Sequence, residues 1–409
     1  VAPLEDAALQ ALIGLVEQAK SKAGAPIFAI GSKRTDFMAQ RGILYDILGQ
    51  PASLRKQLEY LQTEGQPALA AAAKRLQNGN RVILSGMGAS LFACLPLSLW
   101  LGRHGILAPV IETSDLLHYE PGLCRDATLV LVSRSGRTIE TTKLLGLLGG
   151  GDCHIIGFTA VRESPLAERA ETLIEIRTDP DTMVSIQSYP GTVLALLALG
   201  AAATGDLDDS WESQAAGLAD PWKRSIEEQL RASESWYDFF EDPPVIYLAG
   251  RGPSLASALQ GALLFNEVAK VPAAGASAAN FRHGSVEIVN PAFRGLIFAS
   301  QATTRRLDIG LARDLERFGG QVRVIGPAES LADQVPDGRL WPIPDVPEPF
   351  GPVIDISPVQ IAAYRTALWR HVQLDQFQYA GPVALNEESL GQASDVPGPG
   401  NITVKQNFR

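Results

Sequence analysis

Short, continuous apolar runs alternate with longer segments of helical character through the first half of the chain. The runs cover residues 82–84, 109–112, 128–132, 154–159 and 172–176. An apolar run of this length, without polar alternation, is typical of a strand that is buried on both faces of a sheet. Strands that alternate with helices are joined by crossover connections and lie parallel. The pattern therefore predicts a parallel sheet that is covered by helices.

The second half of the chain repeats this order. Residues 244–254 echo residues 82–90, with a glycine-containing turn after the apolar run and a helical segment after the turn. Residues 295–300 and 321–326 echo the third and fourth runs of the first half. Such self-similarity indicates a duplicated domain. We therefore expect two tandem α/β domains in place of one large core.

The joint between the domains is expected at residues 205–225, where acidic and Trp-containing polar sequence interrupts the pattern. This predicts an N-terminal helical segment, two domains and a tail, at residues 1–50, 51–215, 216–385 and 386–409. A helical period at residues 35–48 stops before Pro51, whose fixed φ suits the first turn of a new helix. The Ala- and Leu-rich residues 192–204 predict a buried helix.

Composition and charge narrow the function classes. The 409 residues are 46% hydrophobic and 20% charged, as in soluble globular proteins, and no apolar stretch is long enough for a membrane span. The net charge of −10 argues against a nucleic-acid partner, because binding the phosphate backbone needs a basic face. No basic-then-apolar leader opens the chain. Three scattered cysteines are too few for a disulfide framework or a metal site, so we expect small core residues of a cytoplasmic protein.

A cluster of hydroxyl side chains follows the third predicted strand, where the chain turns into a helix. Ser133, Ser135 and Thr138 carry the hydroxyls, and Gly136 lets the backbone approach an anion closely. Ligands of open α/β sheets bind at the carboxyl ends of the strands, and a helix start supplies free N–H groups. Residues 133–138, called the phosphate loop below, therefore predict a phosphate site. The alternative is that these hydroxyls only cap the helix.

A second glycine turn supports the phosphate interpretation. Gly88-Ala89-Ser90 follows the first strand, so Ser90 is placed to add a fourth hydroxyl. Residues 300–304 contain no glycine, so we expect one phosphate site per chain. A dinucleotide fingerprint would need a third glycine and an acidic residue after the second strand. The third glycine is missing and no acidic residue is suitably placed after the second strand, so no cofactor is expected.

Two residues of the second half are candidates for proton chemistry. Glu267 lies at the end of the apolar segment 258–268, and apolar surroundings raise the pKa of a carboxyl group towards neutrality. His283 is flanked by Arg282 and Gly284 in a loop. A carboxylate that carries a proton between two carbons, and a second group that opens a sugar ring, are what isomerisation of a sugar phosphate needs. The alternatives are a solvated surface glutamate and an ordinary loop histidine.

These motifs together resemble the sugar isomerase (SIS) domain family. Within it, residues 37–380 are most similar to the isomerase half of glucosamine-6-phosphate synthase. The resemblance is carried by Gly88-Ala89-Ser90, by the phosphate loop, by Leu248-Ala249-Gly250-Arg251-Gly252, and by the sixteen-residue spacing of Glu267 and His283. It implies two tandem SIS domains, each a flavodoxin-like, three-layer α/β/α arrangement with a parallel sheet.

The resemblance also implies roles for single residues. In the family, the matching positions hold the phosphate, namely Ser90, Ser133, Arg134, Ser135 and Thr138. The position of Glu267 moves the proton through an enediol-like intermediate. The position of His283 opens the ring and reaches across a dimer interface, which implies a homodimer with shared active sites.

Three departures from the synthase limit what carries over. No glutaminase part precedes residue 51, so no ammonia from glutamine is expected. The lysine that the synthase has one turn before its glutamate is Leu264 here. The synthase's C-terminal lysine, which forms a Schiff base with the ketose, matches Lys405 only when shifted by about one residue. Lys405 is therefore a candidate for that role, and the alternative is an ordinary solvated lysine of the tail.

Several functions remain open at this point. The same residues suit an aldose–ketose isomerase and an amino-sugar-phosphate deaminase. The deaminase stays open because relatives acting on galactosamine phosphate share a sequence like Phe281-Arg282-His283-Gly284. A deglycase of glycated amino-acid phosphates is a third chemistry. A sugar-phosphate sensor without catalysis is the fourth alternative.

Overall fold

The computed structural model describes residues 42–388, apart from residues 79, 80, 150, 152, 375, 376, 380 and 382. The helices of nine residues or more are numbered in chain order: α1 Ile43–Gln62, α2 Gln66–Gln77, α3 Ala89–Arg103, α4 Ile139–Leu147, α5 Ser188–Thr204, α6 Asp209–Gly217, α7 Ala219–Ala232, α8 Ser254–Leu264, α9 Arg305–Arg317 and α10 Ser357–Trp369. Shorter helices are Thr113–His118, Pro121–Cys124, Pro165–Arg169, Ser233–Trp236, Tyr237–Phe240, Phe265–Ala269, Ala278–Phe281, Ser285–Ile288, Ala328–Leu331 and Gly351–Ile354.

The first sheet is parallel throughout and contains the five predicted strands. They are β1 Arg81–Gly86, β2 Val110–Glu112, β3 Ala127–Val132, β4 Cys153–Thr159 and β5 Thr172–Glu175, in the order β2-β1-β3-β4-β5. All six residues of β3 are buried, which is why its sequence has no polar alternation. The central position of β3 places the phosphate loop at the middle of the carboxyl edge.

The second sheet repeats the topology of the first. Its strands are β6 Ile246–Gly250, β7 Ala273–Ser277, β8 Arg294–Phe298, β9 Gln321–Pro327 and β10 Leu340–Ile343, in the order β10-β9-β8-β6-β7. The second strand of each sheet pairs with the first strand at one edge, and the last strand lies at the other. The predicted α/β class with two tandem domains is therefore confirmed.

The predicted helix boundary at Pro51 is wrong. The helix α1 passes through Pro51 without a break, so the predicted limit after residue 50 falls inside it. Proline has no N–H to donate to the carbonyl one turn earlier. The side-chain Nε2 of Gln50 donates to that carbonyl, on Ile47, at 3.1 Å. This replacement bond lets the helix continue.

Helices α6 and α7 occupy the predicted joint, and the predicted limit after residue 215 falls within α6. Trp211 and Trp222, which mark this stretch in the sequence, are both buried. The predicted buried helix at 192–204 is confirmed as part of α5, whose residues are almost all buried. The three cysteines are also buried, as predicted.

Helix contacts join the two domains. The helix α3, which follows β1, packs against α8, which follows β6. The position of Gly88 lies close enough to α8 that a Cβ there would contact Leu263 at 3.7 Å. The turns at the carboxyl ends of β1 and β6 are therefore brought towards a common interface. Over the part of the chain that the model describes, no helix has the length and apolar character needed to cross a membrane.

Candidate active site

The phosphate loop begins at the buried end of β3. The hydroxyl oxygens of Ser133 and Thr138 lie 3.1 Å apart, and Ser135 Oγ accepts a bond from the Arg137 N–H at 3.2 Å. Gly136 has a φ of 64°, and a Cβ at this position would lie 2.2 Å from Ser164 Oγ. Glycine is therefore required here, both for the left-handed backbone and for the close approach. The loop gathers the three predicted hydroxyls at the carboxyl edge of the sheet.

The first N–H group of α4 already has a partner. Ile139 N–H donates to the carbonyl of Ala384 at 3.0 Å, although the two residues are far apart in sequence. Glu387, from the same C-terminal segment, bonds to Lys143 on α4 and to His118. The segment that ends the described chain therefore lies against the start of the helix that follows the phosphate loop.

Ser90 lies on the neighbouring turn. Gly86, the last residue of β1, pairs in register with Val132, the last residue of β3. The turn after β1 has Gly88 at a φ of 51°, and Ser90 N–H donates to Met87 at 3.1 Å. Ser90 and Ser133 therefore follow paired strand ends at one edge of the sheet. Sequence alone placed both serines after strands, and the register adds that those strands are neighbours.

Arg134 has partners that its sequence position did not reveal. Its Nη1 lies 3.3 Å from Asp181 Oδ2 and donates to Ser185 Oγ at 3.4 Å. The side chain of Asp181 is completely buried and also accepts bonds from the N–H groups of residues 186–188. The structure therefore ties the guanidinium to the loop that precedes α5. A role of Arg134 in holding phosphate stays a prediction.

Glu267 lies on a single π-helical turn, Phe265–Ala269, that continues directly from α8. Burial raises the pKa of its carboxyl group to about 7, while the positive charges of Arg134 and Lys270 act in the opposite direction. A carboxyl group with this pKa can both accept and return a proton near neutral pH. The electrostatic interaction with Arg134 links Glu267, in the second domain, to the phosphate loop of the first.

Lys270 is a further charged residue beside Glu267 that was not predicted from the sequence. It follows the π-helical turn with a φ of 54°, a left-handed conformation that is uncommon for a residue other than glycine. Its Nζ donates to the backbone carbonyl of Glu267 at 2.7 Å. Burial lowers the pKa of Lys270, and the charge of Glu267 counteracts this. Its spacing of three residues from Glu267 was the one signal in the sequence.

His283 lies exposed on the turn after the short helix Ala278–Phe281. The turn is held from two sides, because Arg282 Nη1 pairs with Asp314 of α9 at 2.7 Å and Arg251 Nη2 donates to the Ala278 carbonyl at 3.4 Å. Within residues 42–388, no hydrogen bond or ion pair joins His283 to Glu267. Lys405 lies outside the described residues. No group of acidic, His and Cys side chains in the described part of the chain is arranged to hold a metal ion.

Comparison with known proteins identifies a domain family for part of the chain. Residues 75–204 match the family model of the SIS domain, so the chain contains an SIS domain and the resemblance found in the sequence is confirmed. A curated relative is the glutamine–fructose-6-phosphate aminotransferase (isomerizing) of Aeropyrum pernix, with 27% identity over 348 residues. The match covers 82% of this chain and 53% of the relative. The chain spans about half the length of the curated relatives it matches.

Solved structures share the fold at low sequence identity. The C-terminal domain of glucosamine-fructose-6-phosphate aminotransferase from Francisella tularensis superposes with a TM-score of 0.74 at 15% identity, covering 84% of this chain and 100% of that one. Tagatose-6-phosphate ketose/aldose isomerase from Escherichia coli superposes with a TM-score of 0.68 at 19% identity, covering 85% of this chain and 98% of that one. Glucosamine-6-phosphate deaminase from Thermotoga maritima superposes with a TM-score of 0.66 at 17% identity, covering 83% of this chain and 98% of that one.

Proposed function

We propose that this chain is a phosphosugar isomerase that moves a proton between C1 and C2 of a hexose or hexosamine 6-phosphate. One observation carries the proposal. Burial raises the pKa of the half-buried Glu267 carboxyl group to about 7, and the charge of Arg134, a residue of the phosphate loop, acts on that pKa in the opposite direction. A proton-transferring group and an anion-binding loop are then parts of one site. Relatives named as isomerases or as an isomerizing aminotransferase support this class of reaction.

The proposed reaction assigns one task to each group. Ser90, Ser133, Ser135 and Thr138 hold the phosphate by hydrogen bonds, with Arg134 adding positive charge. The Glu267 carboxylate takes the proton from C2 of the open-chain aldose while the C1 oxygen gains a proton, which gives an enediol. Return of the carried proton to C1, with loss of the O2 proton, gives the ketose. No redox step occurs.

His283 is proposed to open the sugar ring before the proton transfer. An imidazole can shuttle a proton between the ring oxygen and the anomeric hydroxyl near neutral pH. Its exposed turn lies on the second domain and is fixed by the Arg282–Asp314 ion pair. We propose that this turn reaches the site of the partner chain in a homodimer.

Deamination is the second candidate. For a 2-amino sugar, the same removal of the C2 proton followed by protonation at C1 gives a ketimine, which water hydrolyses to the ketose and ammonia. The sequence Phe281-Arg282-His283-Gly284 favours this candidate, as does the fold shared with a glucosamine-6-phosphate deaminase. Both reactions use Glu267 in the same way.

Proton exchange tests the proposal directly. Hexose and hexosamine 6-phosphates are incubated with the protein in D2O, and loss of the C2 proton signal is followed by NMR, with ammonia assayed in parallel. We expect exchange with at least one substrate, and Glu267→Gln to slow it by at least about a hundredfold, in line with general-base catalysis. The matched control is Glu287→Gln, which alters an exposed glutamate of the same domain. No exchange by the wild type, or equal rates for the two variants, would overturn the proposal.

A further inference from the structure

The turn that carries Ser90 has a structural copy in the second domain. Gly86-Met87-Gly88-Ala89-Ser90 aligns with Gly250-Arg251-Gly252-Pro253-Ser254, and both segments end a first strand and open the following helix. Gly88 and Gly252 have φ values of 51° and 52°. The serine N–H donates to the residue three positions earlier at 3.1 Å in both turns. Ser254 is therefore the counterpart of Ser90.

A carboxylate lies at this second turn. Asp355 Oδ2 accepts from Ser254 Oγ at 2.9 Å and from Ser300 Oγ at 2.6 Å. Asp355 Oδ1 accepts from Ser257 Oγ. Ser300 follows the end of β8, as Ser133 follows the end of β3. Hydroxyls from the two neighbouring strand ends therefore converge on one anionic group.

The arrangement is closed to solvent. Asp355, Ser254 and Ser257 are fully buried, and Ser300 is 8% exposed. Gln301, which is also buried, donates from Nε2 to Ser254 Oγ at 3.0 Å and so completes the network. A buried charge persists only when hydrogen bonds replace its hydration, and three hydroxyl donors do this here. Burial raises the pKa of Asp355 to about 6, and the hydrogen bonds from Ser257, Ser300 and Ser254 favour the ionised form and act in the opposite direction.

We propose that the second domain has its own anion site and that Asp355 is its permanent, built-in ligand. The two domains then differ in one respect at equivalent turns. In the first domain, none of the described residues forms a hydrogen bond with the Ser90 hydroxyl, which is left for an external anion. In the second domain, the carboxylate of the same chain takes the hydroxyls. The site without Asp355 would accept a small carboxylate such as formate.

This assignment goes beyond the proposed function and explains why each chain would take one sugar phosphate. It also gives Asp355 a positioning role. Ser254 and Ser257 form the first turn of α8, whose other end continues into the turn that carries Glu267. Asp355 lies two residues before α10, which packs on that same turn. The bound carboxylate therefore fixes two helices that support Glu267.

Chemical rescue tests the proposal. In Asp355→Ala, we expect a lower thermal unfolding midpoint, because three buried hydroxyls lose their acceptor. Sodium formate should restore at least half of that loss in a saturable manner, while sodium chloride at equal ionic strength should not. Asp355→Asn is the matched control, since the amide keeps the site filled and formate should leave its midpoint unchanged. Absence of a formate-specific recovery in Asp355→Ala would overturn the proposal.

A second set of variants tests whether formate binds at the position of Asp355 or at the phosphate loop. The measurements are repeated with Ser133→Ala and Thr138→Val added, which removes hydroxyls of the phosphate loop, and formate should still stabilise Asp355→Ala. Adding Ser300→Ala in place of those two changes should abolish the recovery. Were Asp355→Ala to fold poorly, the refolded yield with and without formate becomes the readout, and equal yields contradict the proposal. Because no sugar phosphate is used, the outcome is independent of the isomerase assignment.

Discussion

Glu267 is subject to opposing influences from its immediate surroundings. Burial disfavours the ionised carboxylate and raises its pKa, and the charges of Arg134 and Lys270 favour the carboxylate and lower it. The resulting pKa of Glu267 is about 7. Arg134 belongs to the first domain and is anchored by Asp181, whereas Lys270 is three residues from Glu267 itself. The protonation of the base therefore depends on both domains.

Lys270 should set the acidic limb of the activity profile. Replacing it with methionine removes a positive charge that lowers the pKa of Glu267, so that pKa rises and a larger fraction of Glu267 is protonated at pH 7. The acidic limb of kcat/KM against pH is expected to move to higher pH. Lys270→Arg keeps the charge and should leave the limb in place. An identical limb in wild type and Lys270→Met would show that Lys270 does not influence the base.

Local sequence identifies some of these residues, whereas others depend on contacts that only the fold creates. Glu267 was a candidate because its neighbours in sequence are apolar, but its proposed role came from the family resemblance, since those neighbours alone left a solvated surface glutamate open. The partner of Arg134 could not be recognised, since Asp181 lies 47 positions away and only the fold brings them together. Asp355 was missed for the same reason. Its three serine partners are about 55 to 101 positions distant, and no local pattern marks them.

At the scale of elements, the continuity of α1 depends on one side chain. Gln50 Nε2 donates to Ile47, whose carbonyl Pro51 leaves without a backbone donor, and also to Gln360 Oε1 on α10 at 2.7 Å. The same amide therefore repairs the helix and joins it to the second domain. The sequence predicted that the helix stops before Pro51, which the continuous α1 shows to be wrong. It could not predict the repair, because a glutamine before a proline is usually solvent-exposed.

Gln50→Ala should lower the free energy of unfolding by about 1–3 kcal/mol, the usual cost of removing a buried hydrogen-bond partner. In a Pro51→Ala background the backbone N–H returns, so the same change should cost about 1 kcal/mol less, the value of one hydrogen bond. Urea denaturation of the four proteins of this double-mutant cycle measures the difference. Equal costs in both backgrounds would mean that the side chain does not replace the proline's missing bond.

Some strands could be predicted from the sequence and others could not, depending on how apolar they are. The strands β1, β3 and β4 are apolar and buried, and their sequences were sufficient to identify them. The strand β7 was missed, because Ala273-Ala274-Gly275-Ala276-Ser277 has little hydrophobic character. Small residues are needed there, since a Cβ at Gly275 would lie 2.7 Å from the backbone of Leu259 in α8. The small residues that close helix packing requires therefore lack the apolar pattern by which a strand is recognised in sequence.

At the scale of the whole molecule, the two domains share one topology but differ in the residues that lie at the equivalent turns. Both sheets have the same strand order and the same serine turn. The first domain presents the phosphate loop, and the second fills its equivalent turn with Asp355 and carries Glu267 and His283. An exposed His283 without a link to Glu267 in its own chain is what a site shared between two chains requires. In the proposed homodimer, each chain would supply His283 to the site of its partner.

Mixing two inactive variants tests whether the site is shared. Glu267→Gln and His283→Ala are unfolded and refolded together in equal amounts, so that half of the dimers combine one chain of each kind. If His283 acts on the partner's site, each mixed dimer has one site with both residues intact, and about a quarter of the wild-type activity should return. If His283 acts within its own chain, every site lacks one residue and no activity returns. The control mixes wild type with a chain that carries both substitutions. If the residues act within one chain, each mixed dimer has one intact site. If His283 acts on the partner's site, the mixed dimers have none.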